Sequence, residues 1–409
     1  MQKATDLDLP YLKMEEDAFA ADPFPHFDRA RAQHPWLARW KLGYVITDYA
    51  AMRGLFAQED RLGMMYNGIV EIMGAKGTPW GNFQERHMLN QTGATHKRIR
   101  DLLAPAFSPR QANLNRSLMQ ATMTELLDEW APRRSFDFEE FASYYPITVM
   151  CRMIGAPSEA IPRLRSALEA IGLSTSMDPR YMDDMQQGVL TMERFVDDII
   201  AERLSRPSEG ETDLFDQLLR SHAEGGLSYR ELADILIVLF VGGYDTSKNM
   251  LTMAMYRLIA RPDIYRRCAE DHGFARRVID ETFRFHGAIS AARVVKEEVT
   301  LNNVILEKDA VLWLPYTVAT HDSRYAENAD EFDPDRSQTN PHIGFGLGPH
   351  ICIGQFIARA QLHEGLHLLA KRLRNPRTNG PGGFRPFPGI WGLKGLPIEF
   401  DLAEEAVPA

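Results

Sequence analysis

The chain has 409 residues, 44% of them hydrophobic and 25% charged, with a formal net charge of −10. That length and apolar content suffice for a large core, the acidity argues against a nucleic-acid partner, and three scattered cysteines exclude a disulfide framework. No repeat or low-complexity linker divides the chain, so one large domain over 22–401 is expected, with an N-terminal extension at 1–21 and a tail at 402–409. The first twenty residues contain no apolar targeting region. The longest strongly apolar run, Ile235 to Val241, is seven residues, too short to cross a bilayer, so no membrane anchor and a cytoplasmic location are expected.

Residues 22–56 combine a proline-rich entry, a short helical pattern and the strand-like Tyr44-Val45-Ile46-Thr47. From Arg61 to Gly93 periodicity is lost while large apolar side chains persist, among them Met64, Trp80 and Phe83. A long irregular segment of this kind is functional or mobile, although the same side chains also suit core packing. His96 and Arg100 then lie four apart on one face of a helix that ends near Pro105, where both could grip one anion. Amphipathic helices follow over 114–204, punctuated by Pro132, Pro157, Pro162 and Pro179. Methionines between Ala167 and Leu190 suit an adaptable apolar wall or an ordinary core.

Ser228-Tyr229-Arg230-Glu231 has the form of a capping box, and the next proline is Pro262,. The spacing predicts one helix over 228–260, about 50 Å long at 1.5 Å per residue. Its centre carries Gly242-Gly243, each about 1 kcal/mol less favourable than alanine, and then Asp245-Thr246. An acid beside a hydroxyl can pass protons, while a threonine bonded to its own backbone at a helix distortion would explain the same residues. Glu281 and Arg284 lie three apart on a helix, a spacing shared by ordinary surface pairs. Finally, Phe345 to Gly354 set Cys352 in a loop with three glycines, which lets backbone N–H groups approach a thiolate. Only Cys151 and Cys268 accompany it, without paired spacing, so a zinc centre is not indicated.

The ten residues FGLGPHICIG resemble the cysteine-ligand loop of the cytochrome P450 family, the haem-thiolate monooxygenases. The resemblance extends over about 22–401 and implies a mainly α fold with small β-sheets, of the soluble bacterial type. Haem b would lie between the 228–260 helix and the helix that follows Cys352, expected over 353–373. Cys352 would be the axial ligand of the iron, its thiolate pushing electron density onto the metal. His96, Arg100, Arg293 and His342 would hold the propionates, and Asp245 and Thr246 would form the acid–alcohol pair that manages protons. Trp80, Phe83, Val238, Val241, Gly242, Ile289 and Ile390 would line an apolar pocket, with a turn near Ala288. Glu281, Arg284 and Arg336 would form a structural network beneath the haem loop.

The implied reaction is insertion of one oxygen atom from O2 into a small or medium hydrophobic substrate. Electrons would come from a ferredoxin and its NAD(P)H-dependent reductase. Lys97, Arg98, Arg110 and Arg359 could form a basic patch for such a partner. Two other readings fit the sequence less well: a peroxide-driven haem enzyme, against which Asp245 and Thr246 argue, and a haem-based sensor or binding protein, which needs no proton relay.

Overall fold

A computed structural model describes residues 1–205, 213–287, 289–337 and 340–403. Ala288, the expected turn of the pocket segment, and 404–409 of the tail lie outside the described residues. The architecture is mostly helical with small sheets, and the order of events along the chain explains what each part positions.

The N-terminal residues dock onto the body of the fold. Gln2–Lys3 pairs in parallel with Val304–Leu306, and Met14 and Phe19 are fully buried. The helix Phe24–Gln33 leads into a five-stranded sheet whose spatial order is Leu37–Trp40, Gly43–Ile46, Val311–Pro315, Ser290–Val295 and Leu62–Met64. Only the Gly43–Ile46 and Val311–Pro315 pair is parallel. In this sheet Arg293 sits opposite Met64 on one side and Leu312 on the other, which fixes the height at which its side chain leaves the strand.

The 61–93 segment departs from its expected irregularity. It contains the strand Leu62–Met64 and the helices Tyr66–Ile72 and Pro79–Arg86. The overlooked signal is local. Thr78 Oγ1 accepts the N–H of Gly81 at 3.1 Å, and Pro79 fills the first helical position, where its missing N–H costs nothing,.

The helix Tyr229–Ile259 runs through the middle of the molecule. Its capping box is made as the sequence predicts: Ser228 Oγ accepts from Glu231 N–H and the Glu231 carboxylate accepts from Ser228 N–H,. It packs on Phe138–Ile154, Ile161–Gly172, His272–His286 and Gln355–Arg372. Burial follows from that enclosure: from Leu232 to Phe240 every residue is buried. The helix after the cysteine loop begins at Gln355, two residues later than expected, because Cys352 to Gly354 still belong to the loop. Among the described residues no helix is long and apolar enough to cross a membrane.

Candidate active site

The cysteine loop is shaped by two glycines in a conformation that side-chain-bearing residues rarely adopt. Gly346 and Gly348 have φ of +74° and +71°, in the left-handed region,. A Cβ on Gly348 would also collide with the Glu59 carboxylate, and one on Gly346 would crowd the Tyr316 hydroxyl. The loop closes on itself through Cys352 N–H to Phe345 O at 2.9 Å. Outside it, Tyr49 Oη donates to Pro341 O at 2.8 Å, and Tyr325 Oη to Asn340 O at 2.7 Å.

Cys352 is open on one side although protein atoms surround it. Burial raises its thiol, against which a backbone hydrogen bond from Gly354 and the charges of Arg100 and Arg359 favour the thiolate,. It is the accessible cysteine of the chain, since Cys151 and Cys268 are buried and both are pushed up to about 12.

Beside it stand two arginines and two imidazoles. The His96 ring stacks on His350 with centroids 3.9 Å apart. Arg100 donates to Ile351 O at 2.7 Å. Arg293 binds Glu59 Oε1 at 2.9 Å and the carbonyl of Ala292 at 3.1 Å. Burial first, then the charges of His96, Arg293 and Arg100, drives His350 down to about 3. His96 Nε2, His350 Nδ1 and Arg293 Nε are buried and have no hydrogen-bond partner. Such orphaned donors are costly unless something anionic meets them.

His342 stands apart from this cluster, contrary to its expected place. Its Nδ1 accepts from Gly344 N–H at 3.2 Å and its Nε2 meets Arg359 at 3.2 Å. The His342 ring is set among Phe283 and Phe345. His350, inside the quoted motif, is the residue that the sequence reading passed over.

On the central helix one face is open. Gly242 is exposed, a Cβ there would meet nothing within 4 Å, and Val241 and Thr246 are partly open beside it. Thr246 Oγ1 donates to Gly242 O at 2.8 Å, the self-bonding that the sequence also allowed, yet the helix continues without a break. Ile289 and Ile390 keep accessible surface, whereas Val238 is buried. Trp80 and Phe83 do not line an opening: they are 0% and 2% exposed, and the Trp80 indole donates to Ser174 Oγ at 2.9 Å. Those two belong to the core.

Asp245 points elsewhere. It is one residue from Thr246 and therefore about 100° around the helix. Its Oδ2 accepts from Arg385 at 2.6 Å and a Cβ on Gly172 would strike it. Lys248 Nζ lies 3.2 Å from the other oxygen. Burial acts to raise this carboxyl, but Arg385 and Lys248 outweigh it and hold it below its ordinary value,.

Beneath the loop, Glu281, Arg284 and Arg336 come together. Arg284 is fully buried and spends its donors on both Glu281 oxygens at 2.8 and 2.7 Å and on the carbonyls of Thr320, Ala329 and Glu331. Arg336 Nε approaches Glu281 at 3.7 Å and its other nitrogens cap Glu327, Asn328 and Glu331 carbonyls.

Comparison with known proteins decides what this arrangement is. The sequence pattern of the family Cytochrome P450 matches residues 170–375. Luteothin monooxygenase of Streptomyces thioluteus is 30% identical over 401 residues, 97% of each chain. The chain belongs to the cytochrome P450 family. It is an oxidoreductase, a P450 monooxygenase, and the family brings a haem-thiolate cofactor, O2 and a small-molecule substrate. In fold it is similar to epothilone B-bound cytochrome P450epoK, with a TM-score of 0.86 at 21% identity over 96% of this chain and 100% of that one. It is also similar to P450BioI in complex with an acyl carrier protein ligated to hexadec-9Z-enoic acid, with a TM-score of 0.84 at 23% identity over 94% and 100%.

The residues present fit a haem. An accessible cysteine, two arginines and two imidazoles with unpartnered buried nitrogens suited to two carboxylates, and a glycine that leaves the helix face bare are the three things a flat dianionic thiolate-ligated cofactor needs,.

Proposed function

We propose that this cytochrome P450, with haem b bound within 22–401, inserts one oxygen atom from O2 into a small or medium hydrophobic molecule. Its electrons come from a ferredoxin and an NAD(P)H-dependent reductase, and it works in the cytoplasm. The observation that carries the reading is the open Cys352 thiol beside the arginines Arg100 and Arg293 and the imidazoles His96 and His350.

Haem supplies the activation of dioxygen when bound; the chain's residues hold, orient and protonate. Cys352 would supply the thiolate that holds the haem iron, eased towards ionisation by Gly354 N–H, Arg100 and Arg359. These four side chains would hold the propionates, the two arginines as permanent charges and the two neutral imidazoles as N–H donors. Gly242 leaves room on the reacting side, and the Thr246 hydroxyl can turn from Gly242 O towards that space. Asp245 would be its acid partner in the pair, held as a carboxylate by Arg385 and Lys248. Val241, Ile289 and Ile390 present apolar surface that holds a substrate by shape and desolvation. Glu281, Arg284 and Arg336 keep the cysteine loop in place without touching substrate.

The name of its relative makes luteothin a first ligand to try. The purified ferric protein, titrated with luteothin, terpenoids, alkylbenzenes and fatty acids, is expected to shift its Soret band from low to high spin with an apolar class, as ligand displaces water from the site. A band that none of them moves contradicts the apolar pocket.

A further inference from the structure

A carboxylate stands where the two carboxylates of haem are to be received. Glu59 Oε1 accepts from Arg293 Nη2 at 2.9 Å, and the pair is largely buried, the side chains 12% and 4% exposed. The other Glu59 oxygen is buried without a partner and lies against Gly348 of the cysteine loop, where a Cβ would strike it. The main chain of Glu59 is fixed independently of that side chain. Its short turn Glu59–Arg61 leads into the strand Leu62–Met64, Lys296 N–H donates to Arg61 O at 2.9 Å, and Leu62 pairs with Val295.

These contacts divide the Arg293 guanidinium into a used and an unused edge. Nη2 is taken by Glu59 and Nη1 by the carbonyl of Ala292 at 3.1 Å, while Nε is buried with no acceptor. The planar fork cannot turn without giving up one of these bonds. Glu59 also changes the charge of the site. Arg100 and Arg293 are its permanent cations, since burial first and neighbouring charge second lower His96 and His350, and Arg359 is paired with Asp280 at 3.1 Å. Glu59 cancels one of the two arginines, so two propionates bound here would leave the site net negative. In a buried site little water screens that charge.

We infer that Glu59 is a positioning residue of the haem site with two effects: it turns the free edge of Arg293 to a propionate, and its buried negative charge lowers the reduction potential of the iron. This rests on the reading of Cys352 as the thiolate ligand of haem. The ferrous state carries one electron more than the ferric, so a fixed carboxylate in the same buried site disfavours it. Glu59 thereby restricts which electron donors can reduce the protein. The pairing also has a use before haem arrives, because Arg293 would otherwise be a buried cation without a counterion. Once propionates are bound they take over that part, and the carboxylate of Glu59 remains as the surplus charge.

The test is a spectroelectrochemical titration of the haem-loaded protein, with haem transfer to excess apomyoglobin as a second readout. Glu59→Gln keeps an acceptor for Arg293 and removes the charge. It is expected to favour ferrous iron roughly ten-fold at a given potential, an upward shift of about 59 mV for one electron, with haem loss no faster than in wild type. Glu59→Asp keeps the charge on a shorter arm; its potential stays near wild type and its haem leaves several-fold faster. Asp60→Asn, which removes an exposed charge from the neighbouring position, is expected to change neither quantity, because solvent screens it. An unmoved potential in Glu59→Gln overturns the proposal, and so does an equal shift in Asp60→Asn. Wild-type haem loss in Glu59→Asp overturns the positioning effect. A Glu59→Gln protein that takes up no haem while Glu59→Asp loads normally also contradicts it, since the charge would then be holding haem and not opposing its carboxylates. Absence of a thiolate spectrum in wild type would fail the haem reading itself; a normal wild-type spectrum beside an unmoved Glu59→Gln potential sinks only the part given to Glu59.

Discussion

Arg284 shows how one side chain can hold a site that it never touches. Its guanidinium has five N–H donors and five acceptors around it, two from Glu281 and three from main-chain carbonyls of the 320–331 segment,. A lysine has the charge but not the fork, so Arg284→Lys strands several buried acceptors. We expect a loss of roughly 3 kcal/mol or more, read as a lowered urea midpoint and reduced haem content; a wild-type midpoint would contradict the network. Legibility in the sequence divides along the same line. Cys352 could be read from its neighbours, because Gly346, Gly348 and Gly354 are chain-local. Arg385 could not, because it meets Asp245 across 140 positions and no spacing rule reaches that far. The sequence singles out His342 and gives His350 no role, and only the partners folded around each ring, Arg359 for one and His96 for the other, distinguish them.

At the scale of an element, the central helix carries the reaction-side geometry at a cost to its own stability. Gly242 lowers helix propensity by about 1 kcal/mol against alanine, and a Cβ there would meet nothing within 4 Å. Gly242→Ala is therefore expected to leave the protein as stable or up to about 1 kcal/mol more stable, while weakening the ligand-induced Soret shift. A destabilised variant with unchanged ligand response would show that the bare face has no such role. The neighbouring Gly243 differs, since a Cβ there would lie 2.5 Å from Met150 Cε. The helix's start at Ser228 and its length were legible because a capping box and an absence of proline are local signals. The helix Pro79–Arg86 carries the same kind of cap at Thr78, but flanking glycines and broken periodicity masked it. Burial of Trp80 and Phe83 depends on Ser174 and the helices above, which no pattern within 61–93 reveals.

Across the whole molecule, charge is managed by internal pairing. Three of the four residues expected to form a docking patch are committed within the chain: Lys97 to Asp101 at 2.5 Å, Arg98 to Glu231, and Arg359 to Asp280 at 3.1 Å. Arg110 alone among those four shows no ion pair among the described residues. A ferredoxin would meet a weaker patch than residue types suggest. Buried imidazoles set the acid limit of the fold. His87 is held down at about 4, and His321 and His363 at about 3, by burial first and by nearby arginines second. Unfolded histidines take up protons near pH 6.5, so below that the unfolded state binds more protons and stability falls with pH. Each group contributes up to about 1.4 kcal/mol per pH unit between 6.5 and its folded value. Melting temperature should drop steadily from pH 7 to pH 5. His363, whose two ring nitrogens have no partner, can be replaced by leucine to remove one group's share; an unchanged slope in His363→Leu would contradict this source of acid lability.

The account depends above all on Cys352 as a thiolate ligand to haem iron. The most direct measurement is the absorption spectrum of the reduced, carbon-monoxide-bound protein, wild type beside Cys352→His. A thiolate pushes electron density onto the iron, so the wild-type Soret band should lie at markedly longer wavelength than that of the histidine variant. Identical bands in the two proteins, or no Soret band in wild type after expression with ample haem, would contradict the assignment on which the site is built.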